Sequence, residues 1–99
     1  MSDIHDYWLG IASGVKTKLD LGCGKNKQKG FIGVDLALRA CPDVIADLEN
    51  NLPFASDSVQ FIWCDQTLEH IRNLIPLMNE CHRILELGGW MWCGVPRFP

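Results

Sequence analysis

The sequence is short of several things, and each shortage removes a class of function. No apolar run approaches the ~18 residues that a membrane-spanning helix needs. The start, Met1-Ser2-Asp3-Ile4-His5-Asp6, is acidic and polar, unlike a secretory signal. Positive charge is in deficit: nine Lys and Arg stand against twelve Asp and Glu, a formal net charge of −3. Nucleic acid is therefore not expected as a partner, because proteins that bind its backbone usually carry net positive charge. No repeat, low-complexity stretch or linker divides the chain, so its 99 residues are read as a single domain, 1–99. Cysteine is plentiful but unpaired in spacing. Cys23, Cys41, Cys64, Cys81 and Cys93 contain no C-x-x-C pair, which argues against a zinc site. Scattered among apolar residues, they read as reduced thiols of a cytoplasmic protein, with no metal site.

What is present is a globular composition, 47% hydrophobic and 21% charged, enough apolar material for a small core. Ile4 to Ser13 has the spacing of a short helix, with Ile4, Trp8 and Ile11 or Ala12 on one side. Lys18-Leu19-Asp20-Leu21 reads as a strand that breaks at Gly22-Cys23-Gly24. Residues 31–36, 43–48 and 58–65 read as three further strands. Asp20, Asp35, Asp47 and Asp65 stand at or near the strand ends. Continuous apolar runs closed by an acid suggest strands buried on both faces, with their polar ends at a site.

The period then changes. Leu74, Leu77, Met78, Cys81, Ile84 and Leu85 mark an amphipathic helix. Asn73 is placed to cap its start, and Gly88-Gly89 to end it. Trp90 to Val95 is the fifth strand. The order β-β-β-β-α-β predicts an α/β layered domain with a mostly parallel sheet. His70, His82 and Arg83 read as local packing or surface residues.

Taken together, these segments resemble the class I S-adenosylmethionine-dependent methyltransferases. Leu19-Asp20-Leu21-Gly22-Cys23-Gly24 is similar to the family's glycine motif, and Gly33-Val34-Asp35-Leu36 to the acidic end of its second strand. Ala46-Asp47-Leu48 with Leu52-Pro53-Phe54, Phe61 through His70, and Cys81 through Gly89 are similar to the later segments. The resemblance spans residues 17–96. It implies a Rossmann-like sheet of about five strands in the order 3-2-1-4-5, and S-adenosylmethionine as cofactor. It also implies methyl transfer to an acceptor that the sequence leaves unknown.

The resemblance further implies a cofactor site made of Asp20, Gly22, Cys23, Gly24, Asp35, Leu36, Asp47, Leu48 and Asp65. The glycine turn would hold the methionine part and Asp35 the ribose hydroxyls. Asp47 and Leu48 would meet the adenine, and Asp65 would line the methionyl side. Asp65 and His70 stand nearest to base chemistry, but no catalytic residue is assigned. A nicotinamide dehydrogenase fits poorly. Its G-x-G-x-x-G has Lys27 in place of the third glycine, and Asp35 follows too soon.

Two departures from the family pattern carry expectations of their own. About six residues, 25–30, separate the glycine turn from the second strand, too few for a crossover helix. Lys25, Lys27 and Lys29 crowd that gap, either as a solvated loop or as positive charge for the cofactor's carboxylate. The family's sheet usually continues beyond strand five, and here the expectation is a truncated fold lacking its last two strands. The exposed edge, with Trp90, Met91 and Trp92, then predicts self-association as a homodimer. The alternative function is a non-catalytic cofactor-binding or oligomerising module of the same fold.

Overall fold

The computed structural model describes residues 17–25 and 27–94; the expected helix at residues 4–13 and Val95 lie outside them. Five strands form one parallel sheet: β1 (Lys18–Leu21), β2 (Ile32–Asp35), β3 (Val44–Ile45), β4 (Val59–Asp65) and β5 (Leu85–Gly94). Their spatial order is β3-β2-β1-β4-β5, the order that the resemblance implies. One α-helix, α1 (Leu74–Ile84), carries the chain from β4 to β5. Two short 3₁₀ turns, Leu38–Ala40 and Leu68–His70, follow β2 and β4.

Strand alternation explains the core. Leu19 aligns with Ile32 and Ile62, Leu21 with Val34, and Ile62 with Met91. That face meets Leu77, Cys81 and Ile84 of α1 in one apolar cluster. Asn73 caps the helix as expected: its Oδ1 accepts from Ile75 N–H at 3.2 Å. The opposite face carries Lys18, Phe61 and Trp90 in one row, and Asp20, Trp63 and Trp92 in the next. Among the described residues no helix covers this second face. The expected burial on both faces is met by β1, where Asp20 is buried on one side and Leu19 and Leu21 on the other, whereas Phe61 and Trp63 of β4 are half-buried. The apolar run of β4 is continuous because aromatic side chains on the second face pack on each other. Phe61 lies edge-on to Phe31 and Trp90, and Trp63 stacks on Trp92 at 4.0 Å.

Two element boundaries differ from expectation, each through tertiary hydrogen bonds. The helix stops at Ile84 rather than at Gly88-Gly89. Asp57 and Ser58 N–H groups donate to the carbonyls of Arg83 and Ile84 at 2.9 and 2.8 Å, and β5 begins at the next residue. Gly88 (φ +84°) and Gly89 fall inside β5, where its pairing with β4 slips between Val59 and Phe61. A Cβ on Gly89 would lie 3.0 Å from two backbone carbonyl oxygens, so any larger residue would press on the bulge. β3 is only two residues long. Asp47 ends it by accepting from Glu49 N–H and the Asn50 amide at 2.9 and 3.1 Å, which turns the chain.

Arg83 has a larger part than a surface residue. It donates to Glu80 Oε2 at 2.7 Å and to the Leu52 carbonyl at 3.0 Å, while Glu80 Oε1 accepts from Leu52 N–H at 2.6 Å. This latch holds the segment before β4 on the helix. The Arg83 hydrogen bond lowers the Glu80 carboxyl below its ordinary 4.5, against a smaller opposing effect of burial. A lowered carboxyl contributes stability above its unfolded value and loses it as pH falls through the folded value. We expect Glu80→Gln to be less stable near neutrality, and to lose less than the parent on acidification below about pH 5. Urea midpoints measured across that range check this.

Candidate functional site

The glycine turn follows directly from β1. Gly22 sits at φ +66°, and its N–H donates to the Val34 carbonyl at 2.7 Å, tying the turn to β2. An added Cβ would fall 2.6 Å from Thr67 Cγ2 and closer still to Oγ1. Thr67 is buried and wedges the turn against the exit of β4, its hydroxyl facing the Leu21 and Asp65 carbonyls at 3.3 and 3.1 Å. Gly24 is also left-handed, at φ +57°, with open space around it. Its N–H donates to Asp35 Oδ2 at 3.0 Å.

Two adjoining cavities open at the C-terminal ends of β1, β2 and β4. The larger, about 360 Å³, is lined by Gly22, Asp35, Leu36, Asp47 and Leu48, with Glu49, Gln66, Thr67, His70 and Ile71. The smaller, about 250 Å³, is lined by Asp20, Gly22, Cys23 and Asp65, with Gln28, Trp63 and Gln66. Gly22 and Gln66 line both, so the cavities adjoin across these two residues and are treated together as one cleft. Eight of the nine expected site residues thus border the cleft; Gly24 borders neither cavity and acts by positioning Asp35. Asp35 Oδ1 also accepts from Ala37 N–H at 3.0 Å. Each oxygen of this carboxylate keeps acceptor capacity for a further donor. Asp47 lines the larger cavity while its carboxylate also caps the turn after β3.

The remaining lining residues, Gln28, Glu49, Trp63, Gln66, Thr67 and Ile71, are not on the list read from the sequence. Trp63 was hidden within an apolar run whose two faces the sequence does not separate. Gln66 adopts φ +52°, rare for a residue other than glycine, asparagine or aspartate, and its N–H donates to the Gly94 carbonyl at 2.7 Å. No local signal announces that turn. Strained backbone of this kind costs of order 1–3 kcal/mol and tends to collect at functional sites.

The cleft is acidic. Asp20, Asp35, Asp47, Glu49 and Asp65 line it, and no lysine or arginine does so among the described residues. Burial pushes the Asp20 carboxyl up, against the Gln28 N–H that donates to it at 2.8 Å, and the charges of Asp65 and Asp35 add to the rise. Burial likewise raises the Cys23 thiol to about 11, helped by the nearby carboxylates. Cys23 is therefore a neutral wall at physiological pH. Of the lysines near the turn, Lys27 is committed elsewhere: its Nζ lies 2.8 Å from Asp43 Oδ2, which also accepts from Gly33 N–H. Burial would raise the Asp43 carboxyl, but the Lys27 hydrogen bond and the Gly33 N–H together lower it. Of the two readings of the lysine loop, positive charge for the cofactor's carboxylate is thus left to Lys25 and Lys29.

A parallel 3-2-1-4-5 sheet with a glycine turn after β1 and an acid closing β2 is a Rossmann-like arrangement, which the class I S-adenosylmethionine-dependent methyltransferases share. The comparisons with known proteins agree. The profile of the family described as methyltransferase domain matches residues 19–93, and the chain belongs to that family. No curated protein sequence matches the chain. Solved structures similar in fold include the following three. One is a candidate S-adenosyl-L-methionine-dependent methyltransferase of Methanococcus maripaludis. Its identity is 18% and its TM-score 0.69, with 92% of this chain and 53% of that chain covered. Another is a Haloferax volcanii complex of the Trm112 methyltransferase activator with a candidate methyltransferase. Here the identity is 26% and the TM-score 0.64, with 79% and 44% covered. The third is geranyl diphosphate C-methyltransferase of Streptomyces coelicolor, with Mg²⁺, geranyl diphosphate and S-adenosyl-L-homocysteine. The identity is 20% and the TM-score 0.66, with 79% and 38% covered. The chain thus spans about half or less of the length of these structures.

Proposed function

We propose that the chain binds S-adenosylmethionine along the two-cavity cleft and takes part in transfer of its methyl group. The observation that carries this reading is the junction of the two cavities at Gly22, with Asp35 on one side and Asp20 on the other. The residues fit the cofactor. Asp35 has acceptor capacity for two ribose hydroxyls, and Asp47 with Leu48 borders the end of the larger cavity where an adenine would lie. Gly22, Cys23, Asp20 and Asp65 border the smaller cavity, sized for an amino-acid chain. Gly24 contributes by holding Asp35. Bound S-adenosylmethionine would supply an electrophilic methyl group on a sulfonium. The chain's own residues would align that methyl with the acceptor and keep water away.

Calorimetry with S-adenosylhomocysteine and S-adenosylmethionine tests the reading. Micromolar binding of both is expected; binding of neither by the folded chain overturns it. A second reading, cofactor binding without transfer, is supported by the chain's half-length coverage of the similar structures. Binding without methyl transfer to any acceptor tried would favour it. The same proposal includes self-association through β5, an edge strand with no lysine, arginine or proline and with Trp90 60% exposed. Sedimentation equilibrium is expected to give a dimer, and a single 11.2 kDa species would refute it. Five free thiols fit a reducing, cytoplasmic setting. No helix among the described residues is long and apolar enough to cross a membrane.

A further inference from the structure

The smaller cavity has a wall that the cofactor reading leaves without a task. Trp63 lines that cavity between Asp20 and Asp65, and Gln66 closes it. Trp63 is also stacked on Trp92, which is not part of the cavity's lining, with ring centroids 4.0 Å apart and planes 13° from parallel. Trp92 and the Asp65 carboxylate converge at the end of β5. A Cβ built on Gly94 would lie 2.5 Å from the Trp92 ring and 2.6 Å from Asp65 Oδ1. Gly94 is thus the space that lets an indole edge and a carboxylate meet. The Gly94 carbonyl, in turn, holds Gln66 N–H and fixes the left-handed turn at the cleft junction.

Resting on the methyl-transfer reading, we infer that Trp63, Trp92 and Asp65 form the acceptor subsite and that the acceptor is a protonated amine carried on an aromatic or other flat apolar group. Three features select that chemistry. Stacked indoles offer flat apolar area and a quadrupole that attracts a cation. The Asp65 carboxylate beside them supplies the opposite charge. Asp20 also lines the smaller cavity and no lysine or arginine does so among the described residues, so an anionic acceptor finds no cation there to pair with.

The chemistry balances without a further reagent. The ammonium loses one proton to solvent water, while the Asp65 carboxylate holds the amine in place. The nitrogen lone pair then forms the N–C bond as the C–S bond breaks. The sulfonium keeps the bonding pair and becomes a neutral thioether. The product leaves as a methylammonium.

The test uses the whole chain saturated with S-adenosylhomocysteine and two probes of similar size and opposite charge, 2-phenylethylamine and 3-phenylpropionate. The amine is expected to bind and to change the tryptophan fluorescence, and the carboxylate to do neither. Trp92→Leu should weaken the amine by about tenfold and leave S-adenosylhomocysteine affinity unchanged, whereas Trp92→Tyr should stay within about twofold of the parent. Equal binding of the two probes, or an amine affinity indifferent to Trp92→Leu, would overturn the subsite. So would competition between the amine and S-adenosylhomocysteine, which would put the amine in the cofactor's place. If the parent chain binds no S-adenosylhomocysteine at all, the cofactor reading falls first and this one with it.

Discussion

Gly22→Ala is expected to destabilise the chain by roughly 2–5 kcal/mol and to abolish cofactor binding. Two costs combine. A left-handed backbone costs an L-residue roughly 1–2 kcal/mol. The new methyl must also displace Thr67, and overpacking of a closed site typically costs about 1–3 kcal/mol. Thr67 cannot move cheaply, because it is buried and its hydroxyl faces carbonyls of β1 and β4. Gly24→Ala is the control: its φ of +57° carries the first cost, but nothing lies within 4 Å of the added Cβ. Thermal melts should therefore separate the two variants. Similar losses in both would mean that the turn is governed by backbone conformation alone and that the Thr67 wedge has no energetic role.

Asp35→Ala is expected to lower S-adenosylhomocysteine affinity by tenfold or more while leaving the sheet folded. Charge-assisted hydrogen bonds are worth about 1.5–3 kcal/mol each, and about 1.4 kcal/mol is tenfold in affinity. Part of the loss arises indirectly. Asp35 accepts from Gly24 and Ala37 N–H groups, so its removal also frees the glycine turn and the chain after β2. Asp35→Asn separates the contributions, since it keeps an acceptor oxygen but loses the charge and one acceptor position. An intermediate affinity for the asparagine variant is expected by calorimetry. Parent-like affinity for Asp35→Ala would show that the ribose contact is assigned to the wrong residue.

The parts of this molecule that could be read from its sequence are those whose cause is local. β1 and its turn were legible because an apolar run meets Gly22 and Gly24, and α1 because its apolar spacing and Asn73 agree. Strand order came from resemblance to a family, since nothing local in β3 says that it flanks β2. What stayed hidden depends on partners distant in sequence. Gly88-Gly89 has the look of a helix end, yet the helix ends earlier because the amides of Asp57 and Ser58 capture its last carbonyls. Trp63 reads as core until its register with Asp20 and Trp92 shows which face it occupies. Gln66 gives no sign of its left-handed turn, because the bond that holds it comes from the far edge strand. Lys27 reads as available charge until the fold brings it to Asp43.

Passage from α1 to β5 in a single peptide step has a consequence for how the molecule breathes. No hinge separates helix from strand, and the amides of residues 57 and 58 are stitched to the helix's last two carbonyls. The end of α1, the start of β4 and the start of β5 therefore open only together, as one cooperative unit. In hydrogen exchange, the amides of Ser58 and Leu85 should share a single opening free energy. The 3₁₀ turn Leu38–Ala40 buries no residue and should exchange on its own, far faster. The turn beyond Leu36 is thus expected to fluctuate independently, while the strand that leads to Trp92 starts in the cooperative unit.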